Sequence, residues 1–140
     1  MQKIDKNALQ LIRNHVHTLS EIDEDNVEER KKEIPKRIHE IFVRFMYECN
    51  ELKELEVKKL AKHGELYKHY KFFDNHSWGN KGEIESQICS DKTYQYICRE
   101  YNKQEYIVKE LEGFFKNLKD LMFQVKNTID LMKFKSGITW

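Results

Sequence analysis

Apolar side chains recur along this chain at intervals of three and four residues, the spacing that places them on one face of an α-helix. Ile4, Ala8, Leu11, Ile12, Val16 and Leu19 form a first set and predict a short amphipathic helix over residues 1–20. Residues 21–34 are dominated by acids and read as a linker. Pro35 then marks a helix start, because proline at the first helical position lacks an N–H that has no partner there anyway. Gly64 is the only weak point before Asp74, so a second helix of about 39 residues, roughly 58 Å long, is predicted over 35–73. Its apolar seam steps through Ile38, Phe42, Phe45, Cys49 and Leu52, then meets Glu56, Lys59 and His63 before Leu66, Tyr70 and Phe73 resume it. Turn-forming residues concentrate between Asp74 and Gly82, which predicts a connection over 74–89 with a short turn of helix near Glu83 to Ile88.

The remainder, 90–135, is the most regular part of the chain. Ser90-Asp91-Lys92-Thr93 supplies an N-cap and an early acid. Tyr94, Ile97, Tyr101, Gln104, Val108, Leu111, Phe115, Leu118, Met122, Val125, Ile129 and Met132 then alternate three- and four-residue steps, with Gln104 the only polar member. Lys133 and Lys135 in the last turn, with Gly137 beyond, predict where this helix stops. Two long helices joined by a connection make an antiparallel hairpin, so the fold class is all-α: a long helical hairpin with a short N-terminal helix, in one domain over 1–140. Past residue 107 the apolar face widens, because Ile107, Phe114, Leu121 and Phe134 add a second stripe. A hairpin seam does not need both stripes, which predicts assembly with other copies through Leu111, Phe114, Phe115, Leu118, Leu121, Met122, Val125 and Ile129. The alternative is that the first helix folds back and covers the second stripe within one chain.

Composition narrows the function classes. One proline and five glycines in 140 residues leave too few turn residues for an all-β fold. No apolar run approaches the ~20 residues of a membrane span. The N-terminus lacks a signal-peptide core and the three cysteines have no C-x-x-C spacing, so a reducing cytoplasm is expected. Charge is near balance overall at +1, but residues 21–34 carry seven acids against three cations, a net of −4, and residues 58–71 carry five lysines against one acid, a net of +4. A basic stretch of that kind can bind a polyanion whatever the total charge.

Catalytic and metal chemistry finds no support. His15 and His17 lie about 200° apart on a helix and cannot chelate one ion. G-x-x-x-x-G-K-[ST], G-x-S-x-G and H-E-x-x-H are all absent, and Glu110 and Glu112 read as charges on an exposed face, so no enzyme, cofactor or metal is expected. The informative segment interleaves Lys58, Lys59, Lys62, Lys68, His69 and Lys71 with Tyr67, Phe72 and Phe73, and Trp78 follows in the connection. Cations neutralise phosphates and flat rings stack on unpaired bases without reading them, which is the chemistry of sequence-independent single-strand binding. The competing interpretation is a solvated lysine face on a purely structural coiled-coil adaptor.

Ile34-Pro35-Lys36-Arg37-Ile38-His39, the aromatic pair Phe72-Phe73, the Ser90-Asp91 helix start, and above all the run from Met122-Phe123-Gln124-Val125 through Lys133-Phe134-Lys135-Ser136-Gly137 resemble the UvsY recombination mediators of tailed phages. The resemblance covers about residues 34 to 138. It implies a small helical protein that assembles into a ring of six or seven copies and binds single-stranded DNA. It also implies a role in helping a RecA-like recombinase displace single-strand-binding protein, in a host bacterial cytoplasm if the chain is phage-encoded. The family's strand contact places a basic-x-basic motif before a Tyr-Tyr pair followed by Gly. Here the pair is Phe72-Phe73, the basic positions fall on Tyr67 and His69 with Lys68 between them and Lys71 after, and the Gly is displaced to Gly79.

Overall fold

In the computed structural model, residues 3–73 and 80–137 are described, Phe73 by its backbone alone. The elements are α1 (Lys6–Leu19), α2 (Val27–Lys68), a π-helical turn (His69–Phe73), α3 (Lys81–Ser90) and α4 (Lys92–Lys135). The fold is all-α, and the described residues contain no strand. None of the described helices is long and apolar enough to cross a membrane. Trp78, Gly79 and most of the predicted connection lie outside the described residues.

Helix ends follow local chemistry. The Asp5 carboxylate accepts from Ala8 N–H at 2.8 Å and opens α1. Asn80 accepts from Glu83 N–H at 2.9 Å and opens α3, while Asp91 accepts from Tyr94 N–H at 2.8 Å and opens α4, one residue after the expected cap Ser90, which instead ends α3. Gly137, at φ 74°, follows the last turn of α4, in the left-handed conformation that glycine adopts without strain.

The second helix departs from expectation at its start. It begins at Val27, and Pro35 lies inside it rather than at its first position. The acidic linker therefore shrinks to a turn. There the Asp23 carboxylate accepts from the N–H groups of Asp25 and Asn26 at 2.9 Å, and Asn26 donates to the Glu21 carbonyl at 2.8 Å. Burial explains the early start. Val27, Ile34 and Ile41 are buried at seven-residue spacing on one face of α2, and covering Val27 and Ile34 contributes about 1.5–3 kcal/mol each. That offsets the ~3 kcal/mol cost of an interior proline.

The chain divides into two compact units. Unit 1 comprises Met1–Tyr47 and Ile107–Trp140. Its core joins Leu9, Val16 and Leu19 of α1 to Ile34 and Ile41 of α2 and to Ile107, Leu111, Phe114, Leu118, Leu121 and Val125 of α4. The inward stripe of α1 thus runs through Leu9 and Ile12, and the predicted member Leu11 faces outward instead. Arg13 fastens α1 to α4, with 2.6 Å to the Glu110 carboxylate and its guanidinium 5.8 Å from the Phe114 ring.

Unit 2 is Glu48–Tyr106. Within it α2 and α4 run antiparallel, pairing Glu48 with Gln104, Lys59 with Tyr101 and His63 with Tyr94. Leu66, Ile84 and Ile88 form its apolar core under α3, with Tyr67, Tyr70 and Tyr94 packed around them. The one polar residue of the predicted seam is satisfied: buried Gln104 donates to the Glu48 carboxylate at 2.6 Å and to its carbonyl at 2.9 Å. Two polar groups that would be costly to bury alone are thereby paired.

Candidate nucleic-acid interface

The basic-aromatic segment occupies the last turns of α2 and the π-helical turn in unit 2. The fold sorts its side chains into two groups. Lys58, Lys68, His69, Lys71 and Phe72 face outward, and Phe72 is 66% exposed. Lys59, Lys62 and Tyr67 are half-buried: the Lys59 ammonium lies 4.8 Å from the Tyr101 ring centre, Lys62 reaches Glu65 at 3.4 Å, and Tyr67 packs on the Leu66 cluster. Only the first group can meet a strand without rearrangement. Phe73 lies at the end of the π-helical turn, and Trp78 lies outside the described residues.

The π-helical turn brings Lys71 between two rings, 5.5 Å from that of Tyr67 and 5.4 Å from that of Phe72. A cation over a ring face is held by the ring quadrupole. Lys71 and Phe72 therefore form one unit with a charge for a phosphate and a face for a base. Beneath this surface His63 approaches both Glu85 oxygens, at 2.9 and 3.0 Å, and ties α2 to α3. Burial pushes the Tyr94 hydroxyl up to about 12, helped by a hydrogen bond with Cys98 and by the negative fields of Cys98, Cys89 and Glu85. The sequence pattern does not reveal this support layer, because residues 63, 85, 94 and 98 converge only through the fold.

The residues expected to join copies are mostly placed elsewhere. Leu111, Leu118 and Val125 of the seam and Phe114 and Leu121 of the second stripe are all buried in the core that unit 1 builds from α1, α2 and α4. Within the chain the second stripe is thus packed with α1, the alternative that the sequence left open. Phe115, Met122 and Ile129 stay partly exposed beside that core. Phe42 and Met46 of α2 and Phe123 of α4 are exposed as well, Phe42 against its expected place in the α2 seam, where Ile41 is buried instead. Phe42 and Phe115 are in ring contact at 5.7 Å, and the Lys119 ammonium sits 4.3 Å from the Phe115 ring centre. An apolar flank with a lysine margin therefore remains open on unit 1.

Crystal structures of the bacteriophage T4 recombination mediator protein UvsY superpose on this chain with TM-scores of 0.80 and 0.76. The first match covers 96% of this chain and 99% of that one, and the second covers 91% and 98%. The chain has the UvsY fold. Identity is 13% in both comparisons, so the likeness to UvsY is one of backbone architecture. No family model matches the sequence, and no curated protein matches it. Coverage at this level extends over most of both units.

Proposed function

We propose that this chain is a recombination mediator that binds single-stranded DNA without sequence preference. It loads a RecA-like recombinase onto strands held by single-strand-binding protein. The likeness to UvsY over nearly the whole chain carries the proposal, and the outward cluster of Lys58, Lys68, Lys71 and Phe72 supplies suitable chemistry. The chain acts as a homo-oligomer, a ring of six or seven copies, and makes or breaks no bond. Each copy offers one basic-aromatic patch, and several patches on one strand add their weak affinities through high effective concentration. The strand's hold on single-strand-binding protein is loosened in that way, and recombinase takes the freed segment.

Equilibrium binding of a labelled oligothymidine across a salt series tests the strand contact. Replacing Lys68 and Lys71 by Ala removes two phosphate contacts per engaged copy, so the log–log salt dependence flattens by roughly 0.7 per contact. An unchanged affinity and slope would remove residues 58–73 from the interface. No binding by the unaltered chain in low salt would favour a structural adaptor.

A further inference from the structure

Tyr67 of unit 2 has two kinds of neighbour. With Tyr70 and Tyr94 it packs against the buried cluster of Leu66, Ile84 and Ile88. Its ring also carries a cation, since the Lys71 ammonium lies 5.5 Å from the Tyr67 ring centre and 5.4 Å from that of Phe72. Both distances fall within the roughly 6 Å at which a ring quadrupole attracts a cation. Lys71 follows Tyr67 by four residues, the spacing that makes two side chains neighbours on a helical surface, and it is carried by the π-helical turn. Tyr67 is half-buried, whereas Lys71 and Phe72 are exposed.

A lysine ammonium sits on a flexible four-carbon stem, so fixing it on a phosphate costs rotamer freedom at the moment of binding. A cation already seated has lost that freedom beforehand, and more of the contact energy then appears as affinity. The geometry points to Tyr67 as a positioning residue: its ring, anchored on the apolar cluster of unit 2, holds the Lys71 ammonium beside the exposed Phe72 ring, ready for a phosphate. The face of the ring does this and the hydroxyl does not, so phenylalanine suffices at position 67 and leucine fails. The inference rests on the proposed strand-binding function and adds to it a side chain that acts only through Lys71.

Titration of the full-length chain with a long labelled oligothymidine tests it. Tyr67→Phe should bind within twofold of the unaltered chain. Tyr67→Leu keeps an apolar side chain on the cluster but loses the ring face. It should bind about tenfold more weakly, a few-fold loss per copy multiplied over the copies on one strand. Its salt slope should not change, because Lys71 still reaches a phosphate. In a chain that already carries Lys71→Ala, the same Tyr67→Leu change should cost less than twofold, since two residues acting through one contact do not add. A loss of equal size in both backgrounds would overturn the inference, making Tyr67 part of the fold or of the strand contact itself. So would Tyr67→Leu binding within twofold of normal, or Tyr67→Phe binding as weakly as Tyr67→Leu. Proton NMR of the chain without DNA gives a second reading that holds even if Tyr67→Leu does not fold. The Lys71 ε-methylene protons should be shifted upfield by the rings in the unaltered chain and in Tyr67→Phe, and unshifted protons would overturn the inference. If the Lys68→Ala, Lys71→Ala double variant loses affinity while Tyr67→Leu does not, the positioning role alone fails; if the unaltered chain does not bind, the proposed function fails and the role with it.

Discussion

A chain carrying Phe42→Glu and Met122→Glu will stay helical and folded, sediment as a smaller species than the unaltered chain, and lose about a hundredfold in affinity for a long single strand. Both side chains lie on the open flank of unit 1, where Phe42 is 43% exposed and in ring contact with Phe115. In a free chain the carboxylate at position 42 remains in water, and the one at position 122, half-buried beside the core, gives up part of a methionine's packing without opening the core itself. In an assembly they would be buried without partners, a penalty of several kcal/mol per site. Affinity for a strand short enough to reach one copy should hardly change, since each basic-aromatic patch is intact. On the proposed function, long-strand binding depends on several patches acting together, because a patch of about four charges is weak where screening extends over ~8 Å. A full-size assembly in the variant would place the contact between copies elsewhere. A small species that keeps long-strand affinity would separate strand binding from assembly.

Leu118→Asp should instead abolish folding of unit 1. Leu118 is fully buried among side chains of α1, α2 and α4. Truncating such a leucine costs about 2–5 kcal/mol, and a carboxylate adds the penalty of an unpaired polar group in an apolar core. Against a total stability of about 5–15 kcal/mol, that leaves little or none. Circular dichroism should show a large loss of helix at 25 °C or a melting temperature far below that of the unaltered chain. A folded, helical Leu118→Asp protein that merely dissociates would mean that Leu118 faces another copy and that α1 does not cover α4.

These two substitutions separate what the sequence states from what it hides. The seam of α4 is legible because three- and four-residue spacing persists through Leu111, Leu118 and Val125, all of which are buried. Its ends are legible to within a residue, because the Asp91 cap and Gly137 act through local geometry. The beginning of α2 is not, since the local preferences of Pro35 and the acids oppose a helix that is fixed by buried Val27 and Ile34. Nor does periodicity decide what covers a wide apolar face. Ile107, Phe114 and Leu121 look the same in sequence whether α1 or another copy lies on them.

The candidate site was legible in its charge and not in its orientation. Lys58, Lys59, Lys62, Lys68 and Lys71 form one basic run, but the helix turns Lys59 toward Tyr101 and leaves Lys58, Lys68 and Lys71 outward. Gly64 reads in sequence only as a weak point of the helix.

Mediation itself is tested most directly by the time course of RecA-like recombinase assembly on a long single strand already coated with single-strand-binding protein. Adding the chain should shorten the lag before filaments appear, and the Lys68→Ala, Lys71→Ala double variant should restore much of that lag. An unchanged or longer lag, under conditions where the chain demonstrably binds the bare strand, would contradict a mediator role and leave a single-strand-binding protein of another kind.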